Sequence, residues 1–213
     1  DLREAPGLFL TTPCGRRPQT AGMTTATPQR FAAVLFDLDG TLADTRLDFT
    51  AIRAEVGVPE RFATVVTSAA GYPLDKTYYQ TVKGMVGPLD ILEPGGSLVV
   101  ASACSEGMGS AEYVASQRRL IEAGAEQFLR EIEAKRHASV DEWQTEMLLK
   151  PLRAGRFGLY TEGLSQEEFA LTGVTQIASV AAAVAEAVAA AGDNRVAVIP
   201  EGPYVVPRYR PES

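Results

Sequence analysis

Short apolar runs alternate with segments of helical periodicity along most of this chain, and that alternation limits the fold more than any other feature. Phe31–Phe36 (FAAVLF), Phe62–Val66 (FATVV), Ser97–Ser102 (SLVVAS), Arg156–Tyr160 (RFGLY) and Arg195–Ile199 (RVAVI) read as strands. Helical spacing fills the gaps: Leu47–Val56, a helix begun near Asp75 and ended by Gly84, a brief turn at Leu89–Leu92, Ala111–Ala134 broken near Gly124, Val140–Leu152, and Ser179–Ala191. Pro94-Gly95-Gly96 reads as a loop, Cys104–Ser110 as a loop with two glycines, and the chain from Pro200 as a proline-rich tail. Strands alternating with helices predict an α/β fold with a mostly parallel sheet, in which ligands sit at the carboxyl ends of strands.

Charge and apolar patterning exclude some partners. The 213 residues carry a net charge of −7 with no basic block, which argues against nucleic-acid binding. No apolar run approaches the ~20 residues of a membrane span. The first residues hold only the short patch GLFL, too brief for a secretory signal, so 1–30 reads as a flexible leader. Met23 opens a stretch that looks like a natural start. Cys14 and Cys104 are widely separated, form no disulfide framework or metal motif, and suit a cytoplasmic protein.

Two stretches carry chemistry. In Phe36-Asp37-Leu38-Asp39-Gly40-Thr41, two carboxylates two residues apart follow a strand. Such a pair suits Mg²⁺, and one carboxylate suits attack on a phosphoryl group. The run VLFDLDGTLADT resembles the first motif of the haloacid dehalogenase superfamily, through about Pro59. That resemblance implies Asp37 as nucleophile and Asp39 as acid/base of a Mg²⁺-dependent phosphatase. The family also needs a later Ser or Thr, a Lys and a second acidic pair. Thr67 or Ser68 can stand for the first, but Asp193 stands alone.

The second stretch, Gly71–Gly84, reads GYPLDKTYYQTVKG. On a helix, Tyr79, Gln80 and Lys83 are neighbours on one face, with Lys76 a turn earlier. Tyr78, Val82 and Met85 fall on the other side and should enter the core. A cation, an amide and a phenol together suit a small organic anion, although a solvated helix face has the same composition.

TSAAGYPLDKTYYQTVKGM, LEPGGSLVVASACSEGMGS and VDEWQTEML, in that order, resemble the C-terminal domain of the nickel-dependent lactate racemase family over about Phe62–Pro207. The resemblance implies a Rossmann-like sheet with flanking helices and a nickel pincer nucleotide held between two domains. It implies hydride transfer from the 2-carbon of a 2-hydroxy acid such as lactate. Tyr79 and Gln80 would line the substrate and cofactor cleft. Lys83 would hold the substrate carboxylate. Trp143 would offer an apolar wall and an N–H donor. The family's other domain supplies two histidine bases, a nickel-binding histidine and a tethering lysine. This sequence has one histidine, His137, in a polar junction.

The expectation is therefore a flexible leader (1–30), a haloacid dehalogenase-like strand–helix appendage (31–60), a racemase-like C-terminal domain (61–207) and a tail (208–213). On that reading the chain is a truncated or chimeric 2-hydroxy acid racemase, an isomerase inactive alone, whose missing half comes from a separate chain. The alternatives are the phosphatase and a non-catalytic module that binds organic anions.

Overall fold

The computed structural model describes residues 8–11, 32–36 and 54–211. In chain order the elements are β1 (Leu8–Thr11), β2 (Ala32–Phe36), β3 (Ala54–Val58), β4 (Phe62–Ser68), α1 (Tyr78–Val86), a 3₁₀ turn (Gly87–Asp90) and β5 (Leu92–Ala101). There follow α2 (Ala111–Ala123), α3 (Ala125–Glu133), α4 (Glu142–Ala154), β6 (Arg156–Tyr160), α5 (Gln166–Phe169), β7 (Thr175–Gln176), α6 (Val180–Ala191), β8 (Arg195–Ile199) and β9 (Val205–Tyr209).

Seven strands form one sheet in the order β1-β2-β8-β4-β5-β6-β7. Its pairings are parallel except that of β1 with β2. This is the expected α/β architecture with flanking helices. From β4 the chain moves outward through β5, β6 and β7, then returns to lay β8 on the other side of β4. That reversal opens a crevice beyond the carboxyl ends of β4 and β8, where α/β sheets bind ligands.

Strands flanked by strands and covered on both faces read as continuous apolar runs. Accordingly Val65, Leu98, Val100, Leu159, Ala197 and Ile199 are fully buried. Tyr78, Val82 and Met85 of α1 join them, as the helical spacing predicts. Among the described residues, no helix is long and apolar enough to cross a membrane.

Several expectations need correction. The leader contributes β1, paired with β2. The strand at 32–36 is no separate appendage, because β2 extends the main sheet beside β8. The helix expected over 47–56 does not reach its end: Ala54–Val58 is β3, parallel to β9 in a second, two-stranded sheet. The proline-rich tail supplies β9, which the sequence hid because Pro207 interrupts it. Proline is tolerated in a two-stranded pair, where one side of each strand has no ladder. Pro94-Gly95-Gly96 lies inside β5, at a register shift opposite Phe62 and Thr64 rather than in a loop. The short α5 and β7 carried too little periodicity to be seen. Residues 37–53, with Asp37 and Asp39, lie outside the described residues.

Candidate functional site: a cleft at the sheet's switch point

The turn after β4 builds the site. Gly71 takes the left-handed conformation at φ 72°, which glycine adopts without steric cost. Its carbonyl accepts from the N–H groups of Leu74 (2.8 Å) and Asp75 (3.0 Å). Asp75 does not cap the helix. Its carboxylate accepts instead from the Ala103 N–H (3.4 Å), and its carbonyl from the Cys104 N–H (2.7 Å). The cap is Thr77, whose hydroxyl oxygen accepts from the Gln80 N–H.

The Cys104–Ser110 loop satisfies the other free donors of that first turn. The Tyr78 N–H donates to Gly107 O and the Tyr79 N–H to Met108 O, each at 3.0 Å. A Cβ on Gly109 would stand 3.0 Å from Cβ of Tyr79. Gly109 thus lets the backbone of this loop lie against the start of α1.

Gly84 does not stop α1. It is buried inside the helix, and a Cβ there would meet Ser68 O at 2.8 Å. A Cβ on Gly202 would meet Thr67 Oγ1 at 2.2 Å and Ser68 O at 2.5 Å. Glycine at both positions lets α1 and the segment after β8 close on the end of β4. The Ser68 hydroxyl donates to Pro200 O and accepts from the Ala70 N–H (2.9 Å), joining the ends of β4 and β8.

The result is a cleft of about 750 Å³ at the switch point. Gln80 and Lys83 of α1 form one side, and Trp143, Gln144 and Met147 of α4 another. Tyr204 and Arg208 reach it from the C-terminal segment, because β9 folds back over the 3₁₀ turn, where the Tyr209 N–H donates to Asp90 Oδ2 (3.1 Å). The cleft therefore gathers Gln80, Lys83 and Trp143.

Tyr79 is placed differently. It lines a second recess instead, of about 490 Å³, with Thr77, Glu106, Gly109, Ser110 and Asp141. The Tyr79 ring meets Trp143 edge-on (6.0 Å, 88°) and Tyr113 edge-on (5.1 Å, 84°). Lys83 Nζ lies 5.5 Å from the centre of the same ring, within cation–π range. Burial, then the Asp141 carboxylate, push the Tyr79 phenol above its ordinary pKa. Lys76 precedes the helix and pairs with Glu106 at 2.5 Å, so it does not share the Gln80–Lys83 face.

Sequence reasoning missed Gln144, Tyr204 and Arg208. Gln144 is 1% exposed, and its Nε2 donates to Tyr79 O (2.6 Å), tying α4 to the first turn of α1. Its Oε1 is buried with no hydrogen-bond partner among the described residues. A buried acceptor left unpaired costs about 1–3 kcal/mol. The only signal for it was its place beside Trp143 on a helix that the resemblance already implicated. His137 is exposed in the turn before α4. Among the described residues, no group of three or more His, Cys, Asp or Glu is placed to hold a metal ion.

Comparison with known proteins bears on the family and the fold. Residues 59–206 match the family described as the lactate racemase C-terminal domain. A lactate racemase from Thermoanaerobacterium thermosaccharolyticum is 26% identical over 159 residues, covering 68% of this chain and 34% of the relative. The structure of the lactate racemase apoprotein from the same organism superposes with a TM-score of 0.64 at 25% identity, over 73% of this chain and 37% of that one. This chain thus spans about a third of the length of the relatives it matches. With the fold, the switch-point cleft and the match over 59–206 in agreement, the chain belongs to the lactate racemase C-terminal domain family.

Proposed function

We propose that this chain is one wall of a 2-hydroxy acid racemase site, with lactate or a close analogue as substrate. The observation that carries the reading is the switch-point cleft that brings Lys83, Gln80 and Trp143 together. Lys83 supplies a compact cation for the substrate carboxylate. Gln80 supplies a directed amide. Trp143, 49% exposed and held edge-on to Tyr79, offers a flat apolar face.

The family's nickel pincer nucleotide fits this wall in its organic part: a flat ring suits Trp143, and a polar donor group suits the orphaned Gln144 acceptor. Such a cofactor would supply a reversible hydride acceptor for the 2-carbon of a hydroxy acid that Lys83 and Gln80 orient. Racemisation also needs bases on both sides of the 2-hydroxyl. With His137 the one histidine of the sequence, those bases, and the nickel ligand, come from outside these 213 residues.

The test is calorimetry with D- and L-lactate on the full chain and on Lys83→Ala, followed by addition of the histidine-bearing N-terminal domain of a lactate racemase loaded with cofactor. The expected result is lactate binding that Lys83→Ala removes, and racemisation only after the addition. Equal binding by wild type and Lys83→Ala would remove the assigned site. Racemisation by the chain alone would overturn the half-site.

A further inference from the structure

A buried carboxylate sits one residue from the cleft, on the side of α4 turned away from the proposed ligand. Glu142 opens α4, and its side chain is 3% exposed. Three donors converge on it: Arg119 Nη1 (2.7 Å) from α2, Lys135 Nζ (2.5 Å) from the turn after α3, and the Ser139 N–H (3.0 Å). Arg119 is itself held by Glu131 (3.1 Å) and lies over the Phe128 ring (5.3 Å), both on α3.

Starting the helix does not require this arrangement. A carboxylate in the first turn favours helix formation equally well from solvent, through the helix dipole. Burying one is costly unless its partners are well placed, and breaking such a cluster by removing one member is far more damaging than never having had it. The N-cap residue, Asp141, is left-handed (φ 59°) and makes no side-chain cap bond. The Asp141 carboxylate accepts instead from the Ser110 hydroxyl (2.5 Å) at the start of α2, and the Glu142 cluster is the second tie that places the first turn of α4. The two residues that follow it are Trp143, edge-on to Tyr79, and Gln144, bonded to the Tyr79 carbonyl.

We infer that Glu142 is a positioning residue for the cleft: its carboxylate clamps the start of α4 to α2 and to the 134–141 turn, and so sets Trp143 and Gln144 against Tyr79. The charge cluster governs the wall that faces the ligand without touching the ligand itself. Its functional meaning rests on the cleft reading proposed above, but its structural content does not.

Trp143 is the only tryptophan of the chain, so its fluorescence reports this wall directly. The experiment measures time-resolved Trp143 anisotropy and lactate affinity in the full chain. The variants are Glu142→Gln, Glu142→Asp and Lys135→Met, with Val196→Ala, a buried β8 substitution remote from the cleft, as a control for lost stability alone. In Glu142→Gln the fast local component of the anisotropy decay grows and lactate binding weakens roughly three- to tenfold. Glu142→Asp, which keeps the charge, lies between it and wild type. Lys135→Met repeats the effect with the carboxylate in place, which keeps the test open should Glu142→Gln not fold. Val196→Ala leaves Trp143 unchanged.

An anisotropy decay unaltered in folded Glu142→Gln, or in Lys135→Met, overturns the positioning role. So does an equal change in Val196→Ala. If wild type binds no lactate, the racemase reading of the cleft falls, while the anisotropy still decides the role of Glu142.

Discussion

Lys83 and Gln144 reach the cleft from different helices, and single residues decide whether those helices can approach each other and the sheet. Gly84 is the sharpest case. A methyl group there would stand 2.8 Å from the Ser68 carbonyl oxygen, which is backbone at a strand end and cannot swing away. Gly84→Ala gains helix propensity worth up to ~1 kcal/mol, but forcing α1 off β4 costs more. The expected net loss is about 1–3 kcal/mol, measured by urea denaturation. An equal or more stable Gly84→Ala would mean that α1 does not seat as closely as described. Read alone, Gly84 looked like a helix stop. Glycine serves two physical needs, a left-handed backbone and a missing Cβ, and sequence does not distinguish them. Here the C-cap falls on Gly87, whose N–H donates to Lys83 O.

At the scale of elements, α1 was legible and its start was not. The buried stripe Tyr78, Val82 and Met85 follows from spacing alone. Where the first turn begins depends on which groups accept its free N–H donors, and two of these are carbonyls of a loop almost thirty residues away. Because Gly107 and Met108 share this task with Thr77, Thr77→Ala should cost less than a typical cap deletion, about 0.5–1 kcal/mol. Thermal unfolding of the variant checks this; a loss well above 2 kcal/mol would mean that the loop carbonyls contribute little. The same distance-blindness hid β9. The pairing of β3 with β9 joins residues that no local pattern relates, and it delivers Tyr204 and Arg208 to the cleft.

For the whole molecule, the Glu142 cluster links stability to pH. Burial alone would raise the Glu142 carboxyl, but the bonds from Lys135, the Ser139 N–H and Arg119 outweigh it and lower its pKa from 4.5 to about 2. A carboxyl depressed in the folded state adds stability that is complete above its unfolded value, near 4.5, and is lost as pH falls through the folded value, about 2. Arg119, whose pKa its carboxylate partners Glu142 and Glu131 raise further, stays charged throughout that window. Glu131, lowered first by Gln127 and then by Arg119, titrates in the same direction, and Asp193, held down by Arg195, adds to it. Between about pH 5 and pH 2, wild type should therefore lose roughly 2–3 kcal/mol more stability than Glu142→Gln. Urea midpoints across that range measure the difference, and parallel pH profiles for the two proteins would refute it.

Local pattern determined a good deal of this protein by itself: an α/β chain, strands near 62–68, 156–160 and 195–199, and a helix carrying Gln80 and Lys83 on one face. These follow from hydrophobic period and residue chemistry within a dozen residues of each position. Only the tertiary structure decided that β8 returns beside β4, that Gly84 and Gly202 close the crevice, that Tyr79 lines a second recess, and that Gln144 joins the wall. Each of these depends on contacts between segments distant in the chain. Their energies come from close packing and from satisfying buried polar groups, neither of which has a period that a sequence can display.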